Sequence, residues 1–484
     1  VMKFLILSEN SNGAWPYLHF RSLGAFELKK RIQSQGHDAT IIEWFTHWSN
    51  SDLLNLARKY FIDTDKPVIA ISTPFDNRDL YKIELFLRSI KKEFPNLEII
   101  HGGSRTFQET LGDLIDIFFL GRSMEMFDTW LQQKDITQYK IKSNPTVLLN
   151  HNFNQVLDNP VLPNITDDDC LTFRDILGFE VGVGCKFNCT FCNYELRNTK
   201  ITNFIDHKQL KEYFKLAYEK YGITNFYTSD DTINETDEKL EIIVRAIEGL
   251  NYKPKITSFA RLDMFSKRKQ QLDLLERIQF GALFFGIESF NPVISKTVRK
   301  RTGLVDNYGT LREIKKRCPD TYTIGSLIVG LPGDSKISIT ESIDKVIAEK
   351  LLWGLQIYPL IITKSSTLTD NYFLSDLDKN PEKFGVTTGD PFINLNGDKE
   401  TITLNWETDW INAQQAMEFT AQLESKYSKH ILFMNHFEYA GFYSLKLISQ
   451  NKTINYPQLK HQAYNVCAQI KQNYIQDKLS RYQL

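Results

Sequence analysis

The chain is poor in cysteine and histidine and has almost no net charge. Six cysteines in 484 residues, three of them clustered, argue against a disulfide framework and predict a reducing, cytoplasmic setting. The formal net charge of -1 leaves no electrostatic footprint for a nucleic-acid backbone. No basic run with interleaved aromatics supplies one locally, so nucleic acid is not expected as an obligate partner. Long apolar runs are also missing. No stretch approaches the roughly 18 residues needed to span a bilayer, so no membrane span is expected. The opening Val1-Met2-Lys3-Phe4-Leu5-Ile6-Leu7-Ser8-Glu9 is a short apolar run that reads as a strand rather than a leader. With 42% hydrophobic and 24% charged residues, the composition is globular, and the length predicts two or three domains.

Three of the six cysteines stand in one run, Cys185-Lys186-Phe187-Asn188-Cys189-Thr190-Phe191-Cys192. Thiolates are soft ligands suited to iron-sulfur clusters, and three of them on a cluster of four irons leave one iron open. A structural zinc site needs four closing ligands. The next candidate, His207, lies beyond a charged stretch. Cys185, Cys189 and Cys192 are therefore the predicted metal ligands. Cys170, Cys318 and Cys467 are isolated and read as small buried residues, so no auxiliary cluster is expected.

The CxxxCxxC spacing, with the aromatic Phe191 before the last cysteine, resembles the signature loop of the radical S-adenosylmethionine (SAM) superfamily. That resemblance implies a 4Fe-4S cluster whose open iron receives SAM, reductive cleavage of SAM to a 5'-deoxyadenosyl radical, and a place for Phe191 beside SAM.

The fold class expected is α/β with a mainly helical C-terminal region, in three parts with a linker between the first two. Residues 1–135 alternate strands and helices as a Rossmann-like five-stranded parallel sheet. Their glycine-marked strand ends, among them Gly102-Gly103-Ser104, resemble the cobalamin-binding domain found ahead of many radical SAM domains. The resemblance implies cobalamin contacts at Thr73, Gly102, Gly103, Ser104 and Gly121. The DxHxxG motif that supplies a histidine to cobalt is absent, and His19 occupies that loop without it. Residues 136–175, rich in Asn, Pro, Thr and Asp, read as a surface linker.

Residues 176–362 show six strand-helix repeats, beginning with a strand at 179–183, and resemble the partial (β/α)6 barrel of the radical SAM family. Reactive groups in barrels gather at the carboxyl ends of strands. There the sequence places Ser229-Asp230-Asp231-Thr232, Arg261, Gly286-Ile287-Glu288-Ser289 and Gly325 to Asp334. The resemblance assigns SAM contacts to Asp230 (ammonium), Arg261 (carboxylate), Glu288 and Ser289 (ribose and carboxylate) and Ile328 (adenine). Residues 363–484 read as a mainly helical cap or substrate region, with helices over 410–430 and 431–448 and one past Pro457. The aromatics Phe433, His436, Phe437, Tyr439, Phe442 and Tyr443 read as core.

The expected function is radical SAM chemistry, taken as cobalamin-dependent methylation of an unreactive carbon. The implied partners are a small-molecule or peptide substrate and a reductant such as flavodoxin or ferredoxin. Two alternatives stand beside it: a radical SAM cyclase, rearranging or oxidising enzyme whose first domain is degenerate, and a non-catalytic iron-sulfur or ligand-sensing protein.

Overall fold

A computed structural model describes residues 1–10, 19–73, 82–103, 111–121, 123–150, 159–194, 196–199, 203–300, 306–365, 374–391, 401–434, 441 and 456–484. Phe4, Leu5, Ile6 and Leu7 are all fully buried because they form an interior strand of a sheet covered on both faces. The strands are β1 (Lys3–Ser8), β2 (Asp38–Glu43), β3 (Pro67–Ser72), β4 (Glu98–Gly102), β5 (Ile117–Leu120), β6 (Lys140–Ser143) and β7 (Thr146–Leu149). They lie in the order β2-β1-β3-β4-β5-β7-β6. The five expected strands run parallel. The stretch read as a linker adds β7 parallel to β5 and β6 antiparallel to β7, making seven. Its apolar run, Val147-Leu148-Leu149, is short but fully buried. The helix Asn50–Phe61 was not anticipated, although its signals are present: Ser49 accepts from the Asp52 amide, and Leu53, Leu56, Ala57 and Phe61 are buried at helical spacing. Glu84–Glu93 is a further helix of this domain.

The second sheet contains β8 (Ile176–Phe179), β9 (Asn225–Thr228), β10 (Lys255–Ala260), β11 (Ala282–Glu288), β12 (Tyr322–Val329) and β13 (Gly354–Pro359). Between the carboxyl end of β13 and the last helices lie β14 (Thr363–Ser365), β15 (Thr387–Pro391), β16 (Thr401–Glu407) and β17 (Leu432–Phe433). The large sheet runs β17-β13-β12-β11-β10-β9-β8, parallel throughout, with β17 as an unanticipated seventh strand. β14, β16 and β15 pair antiparallel where loops were expected. This small sheet is fastened over the carboxyl ends of β12 and β13. Trp406 Nε1 donates to the Leu360 carbonyl (2.9 Å), Trp410 Nε1 to the Leu331 carbonyl (2.9 Å), and the Gly333 amide to Asp409 (3.1 Å).

The helix expected over 410–430 spans Ala413–Tyr427, because Asn412 caps it by accepting from the Gln415 amide. The one expected over 431–448 begins instead with β17, and His436, Phe437, Tyr439, Phe442 and Tyr443 lie outside the described residues.

The last helix, Tyr456–Arg481, joins the two large sheets. Leu459, Ala463 and Cys467 pack with Phe20, Ile176, Ala282, Ile324 and Leu432 at the amino end of the barrel. Ile470, Tyr474 and Ile475 then pack with Leu5, Leu7, Ile42 and Trp44 of the first sheet. The acidic stretch before β8 completes the junction. Asp169 pairs with Lys29 (2.6 Å), Asp175 with Arg21 (2.6 Å) and Asp168 with Lys478 (3.0 Å). The Arg21 guanidinium also lies on the Trp44 and Tyr474 rings, 4.7 and 4.5 Å from their centres.

Glu43, at the carboxyl end of β2, is buried in this junction and accepts from the Ser22 amide (3.1 Å). Burial pushes its carboxyl up to about 7, against the opposing pull of Arg21. A carboxyl raised in the native state binds its proton more tightly than the unfolded chain does. Its stabilising effect is therefore present at low pH and lost as pH rises through the folded value near 7. Glu43→Gln should accordingly gain stability relative to the parent between pH 5 and pH 8, by roughly 3 kcal/mol at about 1.4 kcal/mol per unit. Urea unfolding at the two pH values reads this directly, and a pH-independent difference contradicts it.

Candidate active site

Strand β8 stops at Phe179 rather than continuing to Val183 because Asp230 takes over the next backbone amides. Its carboxylate accepts from Val181 (2.8 Å) and Gly182 (3.0 Å) and pairs with Lys239 (2.8 Å), with both side chains wholly buried. The chain is turned out of the sheet there and enters the cysteine loop. That loop is closed on itself: the Cys185 amide donates to Leu196 (3.1 Å), Thr199 to Cys185 (2.9 Å) and Asn198 to Phe187 (2.9 Å). It is also tied to three neighbouring strand ends. Beyond β9, Glu235 accepts from the Lys186 amide (3.0 Å) and the Thr232 hydroxyl stands 3.9 Å from Cys185 Sγ. Beyond β10, Arg261 Nη1 donates to Cys189 Sγ (3.2 Å). Beyond β11, the Val298 carbonyl accepts from the Thr190 amide (3.2 Å).

Cys189 is buried, while Cys185 and Cys192 are half-buried. Burial pushes the Cys185 thiol up to about 12 and the Cys192 thiol upward too, so each must release a proton to bind a metal. Among the described residues, no group of three or more His, Cys, Asp or Glu side chains is gathered as a metal site. The chemistry of the donors nevertheless suits an iron-sulfur cluster. Three soft sulfurs share one loop, the Tyr194 amide donates to Cys192 Sγ (3.4 Å), and a guanidinium N–H faces Cys189. Such N–H groups stabilise anionic sulfur.

Glu288 ends β11 in the left-handed region, at φ 66°, where the β11–β12 register shifts between Gly286 and Glu288. A bulge of this kind re-aims a side chain, and a non-glycine residue held at positive φ costs on the order of 1 kcal/mol or more. The aimed carboxylate has three partners: Lys300 Nζ (3.0 Å), Ser326 Oγ (2.9 Å) and the Tyr358 hydroxyl (3.4 Å). Burial works to lower the Lys300 pKa, but Glu288 and Cys189 together outweigh it and hold the ammonium above its usual value. Burial and the Glu288 charge push the Tyr358 hydroxyl well up. Lys300 Nζ also lies 5.6 Å from the Phe191 ring centre.

The structure thus brings Phe191, Arg261, Glu288 and the cysteine loop together. It does not bring the other predicted SAM contacts into that group. Asp230 is engaged behind the loop by two amides and Lys239. Ser289 donates to Asp334 (3.0 Å), and Ile328 is buried in the main core. Arg261 spends its fork on Asp263, the Lys300 carbonyl and Cys189. Lys300, Ser326 and Tyr358 were missed. Ser326 and Tyr358 lie near the carboxyl ends of β12 and β13, where barrel position alone marks polar residues.

A second concavity, of about 270 Å³, opens at the carboxyl ends of the first sheet. Gly102, Gly103 and Gly121 line it together with Gly24, Phe119 and, from the barrel side, Glu180 and Ser229. Thr73 does not line it: its hydroxyl meets His101 Nε2 at 3.0 Å. Ser104 lies outside the described residues. His19 is fully buried, its Nδ1 3.3 Å from Cys467 Sγ, and burial lowers its pKa to about 4.

Residues 179–346 match the model of the radical SAM superfamily. The barrel is a radical SAM domain. The cofactors that accompany this domain are a 4Fe-4S cluster and SAM. No curated protein sequence matches the chain. Two solved structures share the fold of nearly the whole chain. One is the radical SAM methyltransferase TsrM from Kitasatospora setae with cobalamin and a 4Fe-4S cluster bound: 11% identity, 98% of this chain and 100% of that one covered, TM-score 0.63. The other is the cobalamin-dependent SAM radical enzyme OxsB in its apo form: 13% identity, 98% of this chain and 71% of that one, TM-score 0.61. No helix among the described residues is long and apolar enough to cross a membrane.

Gly286 is a position where this radical SAM domain has no room for a side chain. A Cβ there would stand 2.7 Å from Lys300 Nζ and 2.8 Å from Glu288 Oε1, so the ends of these two side chains must shift to admit it. Gly286→Ala should break the Lys300–Glu288 pair and weaken SAM binding by roughly tenfold, or about 1.4 kcal/mol. Equilibrium dialysis of SAM against protein of measured iron content checks this, and unchanged affinity refutes it.

Proposed function

We propose that this radical SAM enzyme methylates an unreactive carbon with the help of cobalamin held between the first sheet and the barrel. The observation that carries the reading is the concavity at the carboxyl ends of the first sheet. In open α/β sheets that edge is where ligands bind. Its glycines let backbone approach a flat ring, and Ala70, Ile100, Phe119 and Phe127 give it an apolar floor. Two of its lining residues, Glu180 and Ser229, immediately precede Val181 and Asp230, whose hydrogen bond starts the cysteine loop. The two sites are therefore linked through the same strand ends. The bound groups supply the hard chemistry: an electron and radical from the cluster and SAM, and a methyl group from cobalamin.

The chain's own residues bind, orient and shield. Cys185, Cys189 and Cys192 supply the thiolates, and Glu288 with Lys300 and Tyr358 offers SAM a paired carboxylate and ammonium. The small sheet β14-β16-β15, held by Trp406 and Trp410, walls off one side of the barrel mouth, which helps keep water from a carbon radical. The substrate class is a small molecule or peptide, and a flavodoxin- or ferredoxin-like protein is the reductant.

The test is anaerobic reconstitution with iron, sulfide and hydroxocobalamin, then desalting and cobalt analysis. Near-stoichiometric cobalt beside a 4Fe-4S spectrum is expected. Gly102→Val should lower retained cobalt about tenfold, with iron content unchanged. Its added Cβ stands at an ordinary 3.8 Å from Phe119 Cβ, and the unchanged iron content separates a loss at the cavity from a loss of the fold. A parent protein with full iron and no cobalt overturns the methyltransferase reading and leaves the radical SAM chemistry standing.

A further inference from the structure

The Arg261 guanidinium is buried, yet it is not held as a ligand-binding arginine would be. Its Nε and Nη2 donate to the Asp263 carboxylate (2.9 and 3.2 Å), Nη2 also reaches the Lys300 carbonyl, and Nη1 is turned onto Cys189 Sγ at 3.2 Å. The Phe187 ring, from the cysteine loop itself, covers one face with its centre 4.0 Å away. The backbone on either side is locked as well: Asn234 exchanges hydrogen bonds with the Arg261 amide and carbonyl, both 2.8 Å. Four of the five N–H donors of this fork are taken by the Asp263 carboxylate, the Lys300 carbonyl and Cys189 Sγ. Among the described side chains of the cysteine loop, the polar atom it meets is a ligand-type sulfur, Cys189 Sγ.

Hydrogen bonds and positive charge at ligand sulfurs stabilise the more negative, reduced form of an iron-sulfur cluster and raise its reduction potential. We propose that Arg261 is a positioning residue that sets the reduction potential of the cluster held by this loop, through its N–H contact to Cys189, rather than a residue that binds the SAM carboxylate. Asp263 is the second part of the device, because it fixes the fork so that Nη1 faces the sulfur. The inference rests on the radical SAM reading of the loop.

The full chain, reconstituted anaerobically, is poised in redox buffers and its reduced cluster is read by electron paramagnetic resonance. Arg261→Gln should reduce the ratio of reduced to oxidised cluster at a fixed ambient potential by roughly tenfold, about 59 mV for one electron. Arg261→Lys, which keeps the charge but not the fork, should fall between it and the parent. Should Arg261→Gln fail to assemble because the buried Asp263 keeps only Lys267 as a partner (3.4 Å), the double variant Arg261→Gln, Asp263→Asn removes that charge and is read instead. SAM affinity, measured on the oxidised cluster, should be nearly unchanged in all of them. An unshifted potential in any iron-replete variant overturns the proposal, as does a large loss of SAM affinity with the potential intact. A parent protein that assembles no cluster would instead overturn the radical SAM reading itself.

Discussion

The cysteine loop depends on one buried carboxylate. Asp230 accepts from the Val181 and Gly182 amides and pairs with Lys239. Those two amides would otherwise extend β8, and the loop would start from a different point with its cysteines on a different heading. An isolated buried charge is costly, and removing one partner of such a pair typically costs about 3–5 kcal/mol. The arrangement persists because every group in it is engaged: Lys239 also reaches the carbonyls of Gly182 and Thr232. A β9 strand end thereby dictates where a β8 loop begins. The same economy recurs along the site, since Arg261 from β10 and the Val298–Lys300 segment after β11 hold the loop from the other side.

The concavity between the two sheets exists because the sheets are held at a fixed setting by elements distant from it. The helix Tyr456–Arg481 packs first on the barrel's amino end and then on the first sheet. Three aspartates before β8 clamp cations from both sides of that junction. The barrel also touches the first domain through its edge: the Arg21 amide donates to the Ile176 carbonyl at 3.1 Å. With the amino end of the barrel bolted in this way, the carboxyl ends of β3, β4 and β5 are left facing Glu180 and Ser229 across an unfilled space. The ion pairs add direction to the apolar packing of the last helix at this junction.

Much of this was legible in the sequence, and the reasons differ from element to element. The parallel strands announced themselves as continuous apolar runs, and the cysteine spacing announced its chemistry. β6 and β7 were hidden because Val147-Leu148-Leu149 is brief and stands among turn-forming residues. β17 is two residues long, below what any periodicity reveals, and exists only because β13 offers it an edge. At the site, strand ends correctly marked where polar residues collect, but not which way they face. Asp230 and Ser289 sit beside the expected positions and spend their oxygens on structure. Glu288 is aimed by a register shift that composition does not encode. Lys300 was missed because a lysine within the basic run Arg299-Lys300-Arg301 reads as solvated surface, whereas here it is buried against Glu288.

Two cations beside the cysteines are therefore already paired, Arg261 with Asp263 and Lys300 with Glu288. A lone cation beside three thiolates would be attracted to whichever anion came nearest, including an incoming carboxylate. Pairing removes most of that net charge and leaves direction: one N–H at Cys189 from the first pair, one carboxylate edge toward Ser326 and Tyr358 from the second. Placing charge in fixed pairs lowers the reorganisation needed when an electron arrives, because the surrounding dipoles are set beforehand. The backbone strain at Glu288 is consistent with that demand, since an unstrained strand end would aim the carboxylate elsewhere and leave Lys300 buried with a single carbonyl, that of Gly286, as its partner.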